Sequence, residues 1–294
     1  MSASASLPPS ADLSRGFSSP GFGCSSASSH RSVSSAIVNI QAIAGVVIKE
    51  LCRRKDFYVL FILTALITLT LGSVNFFGED KIARYMKELC LLLIWIAGLV
   101  IAITTTARQL PAERENRTIF PLLAKPVTRR HLVLGKFLGC WLACGLALVV
   151  FYVFFSVLSA AREHDWAFAA YFQALTLHWF LLGIVVAMTL LGSIVFAAPS
   201  SNGTIILLVT VGILLLGRHL NKLALQLSEP LQTIVYAVYF SIPHLELFDV
   251  RDLIIHNWGT IPWLVWLGAL GYASVYCALF LTAACLLFRR KALN

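Results

Sequence analysis

Residues Arg108–Lys136 read RQLPAERENRTIFPLLAKPVTRRHLVLGK, the longest polar interruption in a strongly hydrophobic chain. The stretch holds Arg108, Arg114, Arg117, Lys125, Arg129, Arg130 and Lys136 against only Glu113 and Glu115. Apolar segments of membrane-spanning length flank it on both sides, and short cytoplasmic loops carry the Lys/Arg excess that sets orientation. The stretch is therefore expected to face the cytoplasm from an all-α polytopic membrane protein.

The loop also has internal order. A helix-forming acidic-basic start at Ala112–Asn116 leads to the apolar patch Ile119–Ala124, and then to Lys125-Pro126-Val127-Thr128-Arg129-Arg130. An apolar face flanked by charges suits a docking surface, because buried anchors dominate binding energy while rim charges steer and fix register. On that reading Phe120, Leu122 and Leu123 are the anchors, and Glu113, Glu115 and Arg129 form the rim.

In these residues the sequence resembles the membrane-spanning permease subunits of type 2 ABC (ATP-binding cassette) exporters. In that family the loop between the second and third spans has a glutamate, Gly-Thr and a leucine-rich turn ending Leu-Ala. A proline, a small hydroxyl residue and a basic residue follow, with Gly-Lys at the start of the third span. The matching residues are Glu113 or Glu115, Thr118, Leu122-Leu123-Ala124, Pro126-Val127-Thr128-Arg129 and Gly135-Lys136. The chain departs at Arg117, where the family usually has glycine. The Pro243–Asp249 stretch resembles an outer segment of members associated with maturation of multicopper enzymes.

Composition points the same way. The chain is 59% hydrophobic and 13% charged, against about 25% charged in soluble domains, which excludes an ordinary soluble fold. A net charge of +9 would suit a nucleic-acid partner only with a basic face on a folded module or an aromatic-basic motif, and neither is present. With the topology below, the inner side holds 16 Lys/Arg and 5 Asp/Glu and the outer side 7 and 9. That is the positive-inside pattern. Of the seven cysteines, Cys140 and Cys144 fall on one helical face, where small thiols pack readily between helices.

Residues 1–35 contain 14 serines and one acid, too little apolar content to offset ordering entropy, so a disordered tail is expected. A transit peptide shares that composition. Over 36–51, Ile37, Ile40, Ala44, Ile48 and Leu51 recur at helical spacing, as in an amphipathic helix at a membrane interface. Spans are expected over 57–76, 89–106, 137–158, 175–198, 200–219 and 261–288, six in all, with the coupling loop at 108–136. Gly78–Glu88 reads as a short outer connection. An outer cap is expected over 220–260, within which Leu231–Ile242 is too short to cross, and Trp258, Trp263 and Trp266 mark an outer interfacial belt.

Catalytic constellations are missing. His178 reads as an interfacial histidine beside Trp179, and no Gly-x-Ser-x-Gly or His-Glu-x-x-His motif accompanies it. Gly135-Lys136 lacks the upstream glycine and the following Ser/Thr of a phosphate-binding loop. His219, His244 and His256 have no ligand-like spacing and read as surface histidines. A site residue set of Glu113, Glu115, Thr118, Phe120, Leu122, Leu123, Pro126 and Arg129 is thus a docking set, with no catalytic, cofactor or metal residue.

The resemblance implies a permease with no cofactor of its own, ATP and Mg being bound by a separate ABC ATPase subunit. It further implies a second permease subunit, a lipid environment in the inner membrane and both termini in the cytoplasm. Competing readings are a non-transporting assembly factor and an ion-coupled secondary carrier. The carrier would need intramembrane acids or broken helices in paired repeats.

Overall fold

The computed structural model describes residues 41, 44–50, 53, 55–73, 79–111, 129–163, 166–196, 198–224, 227–229 and 231–290. The chain divides into two units, Met1–Ser35 and Ala36–Asn294, and every described residue belongs to the second. The tail expected over 1–35 lies outside the described residues.

Helices account for the described structure: α1 Lys55–Ser73, α2 Glu79–Ala107, α3 Arg129–Glu163, α4 Phe168–Val195, α5 Pro199–Ala224, α6 Leu231–Ser241, a 3-10 turn Leu245–Phe248, α7 Arg251–Ile255 and α8 Trp263–Arg290. No strand occurs among the described residues. Four helical stretches, Ala83–Pro111, Arg130–Glu163, Phe168–Val195 and Trp263–Arg290, are long and apolar enough to cross a membrane, and Phe57–Thr70 and Pro199–Leu215 are shorter apolar helices. The protein is an all-α polytopic membrane protein. A helix satisfies its backbone internally, as hydrocarbon requires, and several hydroxyls in the spans bond their own backbone. Thr105 donates to Ile101 O and Thr189 to Val185 O, and Thr104 donates to Val100 O at 2.7 Å.

Helix α4 is the centre of the bundle. A helix apolar all round belongs inside, and Leu181–Leu190 is buried without a break, with α2, α3, α5 and α8 packed around it. The most apolar window of α4 is 72% buried and that of α8 only 17%, so α8 lies on the periphery. Helix α1 joins through aromatic edges, Phe57 and Phe61 meeting Phe151 of α3 at 6.0 and 5.4 Å between ring centroids. Asn202, wholly buried, donates to Thr189 O at 3.1 Å and pins the corner between α4 and α5.

Two boundaries differ from expectation. From Glu79 the outer connection is helical and continuous with α2, because no glycine or proline separates its good helix formers from the apolar run, and propagation is favourable once a helix exists. Helix α3 likewise starts at Arg129, before the apolar run from Phe137, and continues to Glu163.

The region after α6 is inserted rather than laid on top. Leu245 and Phe248 of the 3-10 turn, and Ile254 and Ile255 of α7, are buried, the turn against α4 and α5 and α7 against α2 and α4. Polar ties hold it. Lys87, 1% exposed, pairs with Glu163 and donates to Asn257 Oδ1 at 3.1 Å, and Arg84 meets His256. Asn257 has a φ of 51°, a left-handed conformation that asparagine tolerates better than most residues. Gln173 of α4 clamps the chain ahead of α8 by exchanging both amide bonds with the Ile261 backbone, each at 2.9 Å.

Candidate functional site

Of the expected docking residues, Arg129 is the first residue of α3. Glu113, Glu115, Thr118, Phe120, Leu122, Leu123 and Pro126 lie outside the described residues. What the structure does describe is the pair of stems from which the loop springs. Helical conformation reaches Pro111 on one side and begins at Arg129 on the other.

The stems are joined by a polar relay. Lys136 Nζ donates to Gln109 Oε1 at 2.8 Å, and Gln109 Nε2 donates to Glu50 Oε2 at 3.2 Å. Gln109 and Lys136 are 5% and 6% exposed, and a buried ammonium is tolerated only when paired or hydrogen-bonded. An amide is suited to the middle position because it accepts on one side and donates on the other. The relay therefore ties both ends of the loop to the helical residues 44–50. That segment rests on α3 through Ala44 and Val47, which are buried. A Cβ built on Gly139 would lie 2.8 Å from Val47 Cβ, so glycine permits the approach. The buried face of 44–50 thus turns toward α3, whereas periodicity alone had only marked an apolar stripe.

Beside the stems, a cavity of about 520 Å³ opens between the loop end of α2 and the start of α5. Val100, Ile103 and Leu207 supply apolar wall, Thr104 and Ser200 hydroxyls, and Arg108 the one titratable side chain among the lining residues. A cleft whose described lining combines apolar wall, hydroxyls and one guanidinium can hold a molecule or a neighbouring helix.

Two aromatic assemblies, the first half-buried and the second deeper, lie farther along the bundle. Trp141 and Trp179 stack at 4.6 Å and exchange hydrogen bonds, each indole donating to the other residue's carbonyl at 3.0 and 2.9 Å. Gly145 and Gly183, one helical turn on, leave space for the rings, since a Cβ there would come within 2.6 and 2.9 Å of the opposing indole nitrogen. The repeated Trp-x-x-x-Gly of α3 and α4 was a signal that sequence reading passed over. Trp179 therefore locks α4 to α3.

His178 also departs from expectation. It is 1% exposed, stacks on Trp95 at 5.0 Å, and places Nδ1 3.5 Å from the Tyr152 hydroxyl. Arg251 lies 5.0 Å over the same Trp95 ring while bonding Asp249 in bidentate fashion at 2.8 and 2.9 Å. The hydrogen-bonded Asp249 carboxylate holds the Arg251 guanidinium above even its ordinary range, against the opposing pull of partial burial. Arg251 thus stays charged and forms the cationic lid of an aromatic column.

No three His, Cys, Asp or Glu side chains converge as metal ligands among the described residues. Cys140 and Cys144 are both buried within the core. His256 stacks on the exposed Trp258 at 4.7 Å, and the half-buried His244 lies 4.3 Å from the Tyr239 ring.

Comparison with curated proteins gives no match. A family model described as ABC-2 family transporter protein matches residues 20–293, which takes in every helix above and both stems of the loop. The chain therefore belongs to the ABC-2 family of transporter proteins, as a membrane-embedded permease component of an ABC transporter.

Proposed function

We propose that this protein is the permease of an ATP-driven exporter, in which a separate ATPase subunit hydrolyses ATP and drives translocation through the helical bundle. Six spans, with α1 and α5 joining the four longer helices, place both termini and the 108–136 loop in the cytoplasm. Two permease subunits face each other above two ATPases. The observation that carries this reading is the Glu50–Gln109–Lys136 relay. A loop that transmits force needs rigid stems, and here the stems are joined to each other by a buried hydrogen bond and to a third element by a part-buried one. Closure of the ATPases would push on 112–128, and the relay would deliver that push to α2, α3 and the helical residues 44–50 as one body, the rigid-body class of switch.

The test is association. Changing Phe120→Asp should abolish co-purification with the ATPase while leaving the spans inserted, and Glu115→Ala should lower substrate-stimulated ATP turnover with a smaller loss of assembly. Full association and full transport in the Phe120→Asp protein would end the docking assignment. Substrate-stimulated turnover in liposomes separates an exporter from a non-transporting assembly factor.

A further inference from the structure

A second cavity, of about 190 Å³, lies between α5, α6 and the turn that follows α6. Its walls are Val209, Ile213 and Ile242, with Tyr239, His244 and Glu246 as the groups that carry polarity. The Glu246 side chain is 13% exposed, and its Oε2 has no hydrogen-bond partner among the described residues. Oε1 is 3.8 Å from His244 Nδ1, beyond hydrogen-bond reach. A Cβ built on Gly217 would stand 2.5 Å from Oε2, so a larger residue at that position of α5 would push the carboxylate from its present place. His244 is held as a flat wall: its backbone N–H donates to the Tyr272 hydroxyl at 2.9 Å, and its ring lies 4.3 Å from Tyr239 and runs parallel to Tyr272.

We infer that this cavity binds the ammonium group of an amphipathic molecule, with Glu246 as counter-charge and Tyr239 as an aromatic wall. A carboxylate at the wall of an apolar cavity, with His244 3.8 Å away as its ion-pair partner among the described residues, is costly to bury, and the positive charge of an ammonium group would offset it. Aromatic faces add attraction for such cations. A divalent metal ion fits poorly, since the described lining residues offer one imidazole and one carboxylate and an ion needs more donors. The cavity is smaller than the roughly 300–1,000 Å³ of drug-sized sites, so it suits a head group. Val209 at its edge is 41% exposed on the apolar flank of the bundle, where an attached hydrocarbon tail would leave. The source of the ammonium is either a membrane lipid or a cargo molecule. The geometry stands independently of the six-span topology, so binding and topology fail separately.

The experiment uses the full-length protein in maltoside micelles. Native mass spectrometry follows retention of dioleoyl phosphatidylethanolamine against dioleoyl phosphatidylglycerol, and a thermal-shift titration follows the soluble probe tetraethylammonium. One ammonium lipid per chain should be retained, with affinity falling about tenfold or more in Glu246→Gln, while the glycerol lipid is unaffected by that change. Val209→Trp, which fills the mouth and leaves the carboxylate in place, should also lose binding, and it serves as the check if the Glu246→Gln protein melts lower than wild type. Response to the lipid alone identifies a head-group site, and response to tetraethylammonium as well identifies a site open to free organic cations. Equal retention by wild type and both variants overturns the assignment. Stoichiometric binding of zinc alone, lost in both His244→Ala and Glu246→Gln with no ammonium response, overturns it in favour of a metal site.

Discussion

At the scale of single residues, the points of least tolerance are where a side chain meets a helix backbone. Gly145 faces the Trp179 indole with 2.6 Å between its would-be Cβ and Nε1. Gly145→Ala should therefore displace a stacked, doubly hydrogen-bonded pair and cost about 1–3 kcal/mol, read as a lower melting temperature in detergent. Gly183→Ala, with slightly more room at 2.9 Å, should cost less. Unchanged melting in both would mean the indole pair shifts freely. Gln109→Ala should destabilise by about 1–3 kcal/mol, because it strips a buried lysine of an acceptor. It should also uncouple ATP turnover from transport, a readout that mere loss of packing at Gly145 would not reproduce.

At the scale of elements, α6 is the segment whose length decides its role. Eleven residues rise about 17 Å at 1.5 Å per residue, well short of the roughly 30 Å hydrocarbon core. The turn after it enters the bundle instead of continuing outward. Val235→Asp in α6 should alter transport while leaving membrane integration and the side of the C-terminus unchanged, as checked by protease protection and transport assays. Loss of integration with relocation of the C-terminus would show that α6 spans. The inserted 3-10 turn and α7 were not legible beforehand. Their apolar residues, Leu245, Phe248, Ile254 and Ile255, are spaced too irregularly for either helical or strand periodicity, and only the surrounding α2, α4 and α5 give them a place to be buried.

At the scale of the whole molecule, the charge asymmetry leads to a topology. With single cysteines in a cysteine-free background, positions 294 and 125 should resist an impermeant thiol reagent in intact cells, while positions 165 and 229 should label. Rapid labelling at 294 would defeat the six-span arrangement and leave the family membership standing, since that rests on the match over residues 20–293.

Composition and charge by themselves determined the class. Long apolar runs must become helices in hydrocarbon, whatever their neighbours, because the backbone has no other local way to satisfy its hydrogen bonds. The Arg108–Lys136 stretch likewise carried the family signal in its own residues. Partnership was decided only by tertiary structure: that Gln109 and Lys136, 27 positions apart, meet Glu50, that Trp141 answers Trp179, that His178 is buried under Trp95, and that Glu246 faces a cavity. Such contacts depend on which faces of the helices turn toward one another. In a chain that is apolar on nearly every face, hydrophobic periodicity leaves that rotation open, so small residues, indoles and scattered polar groups settle it through packing.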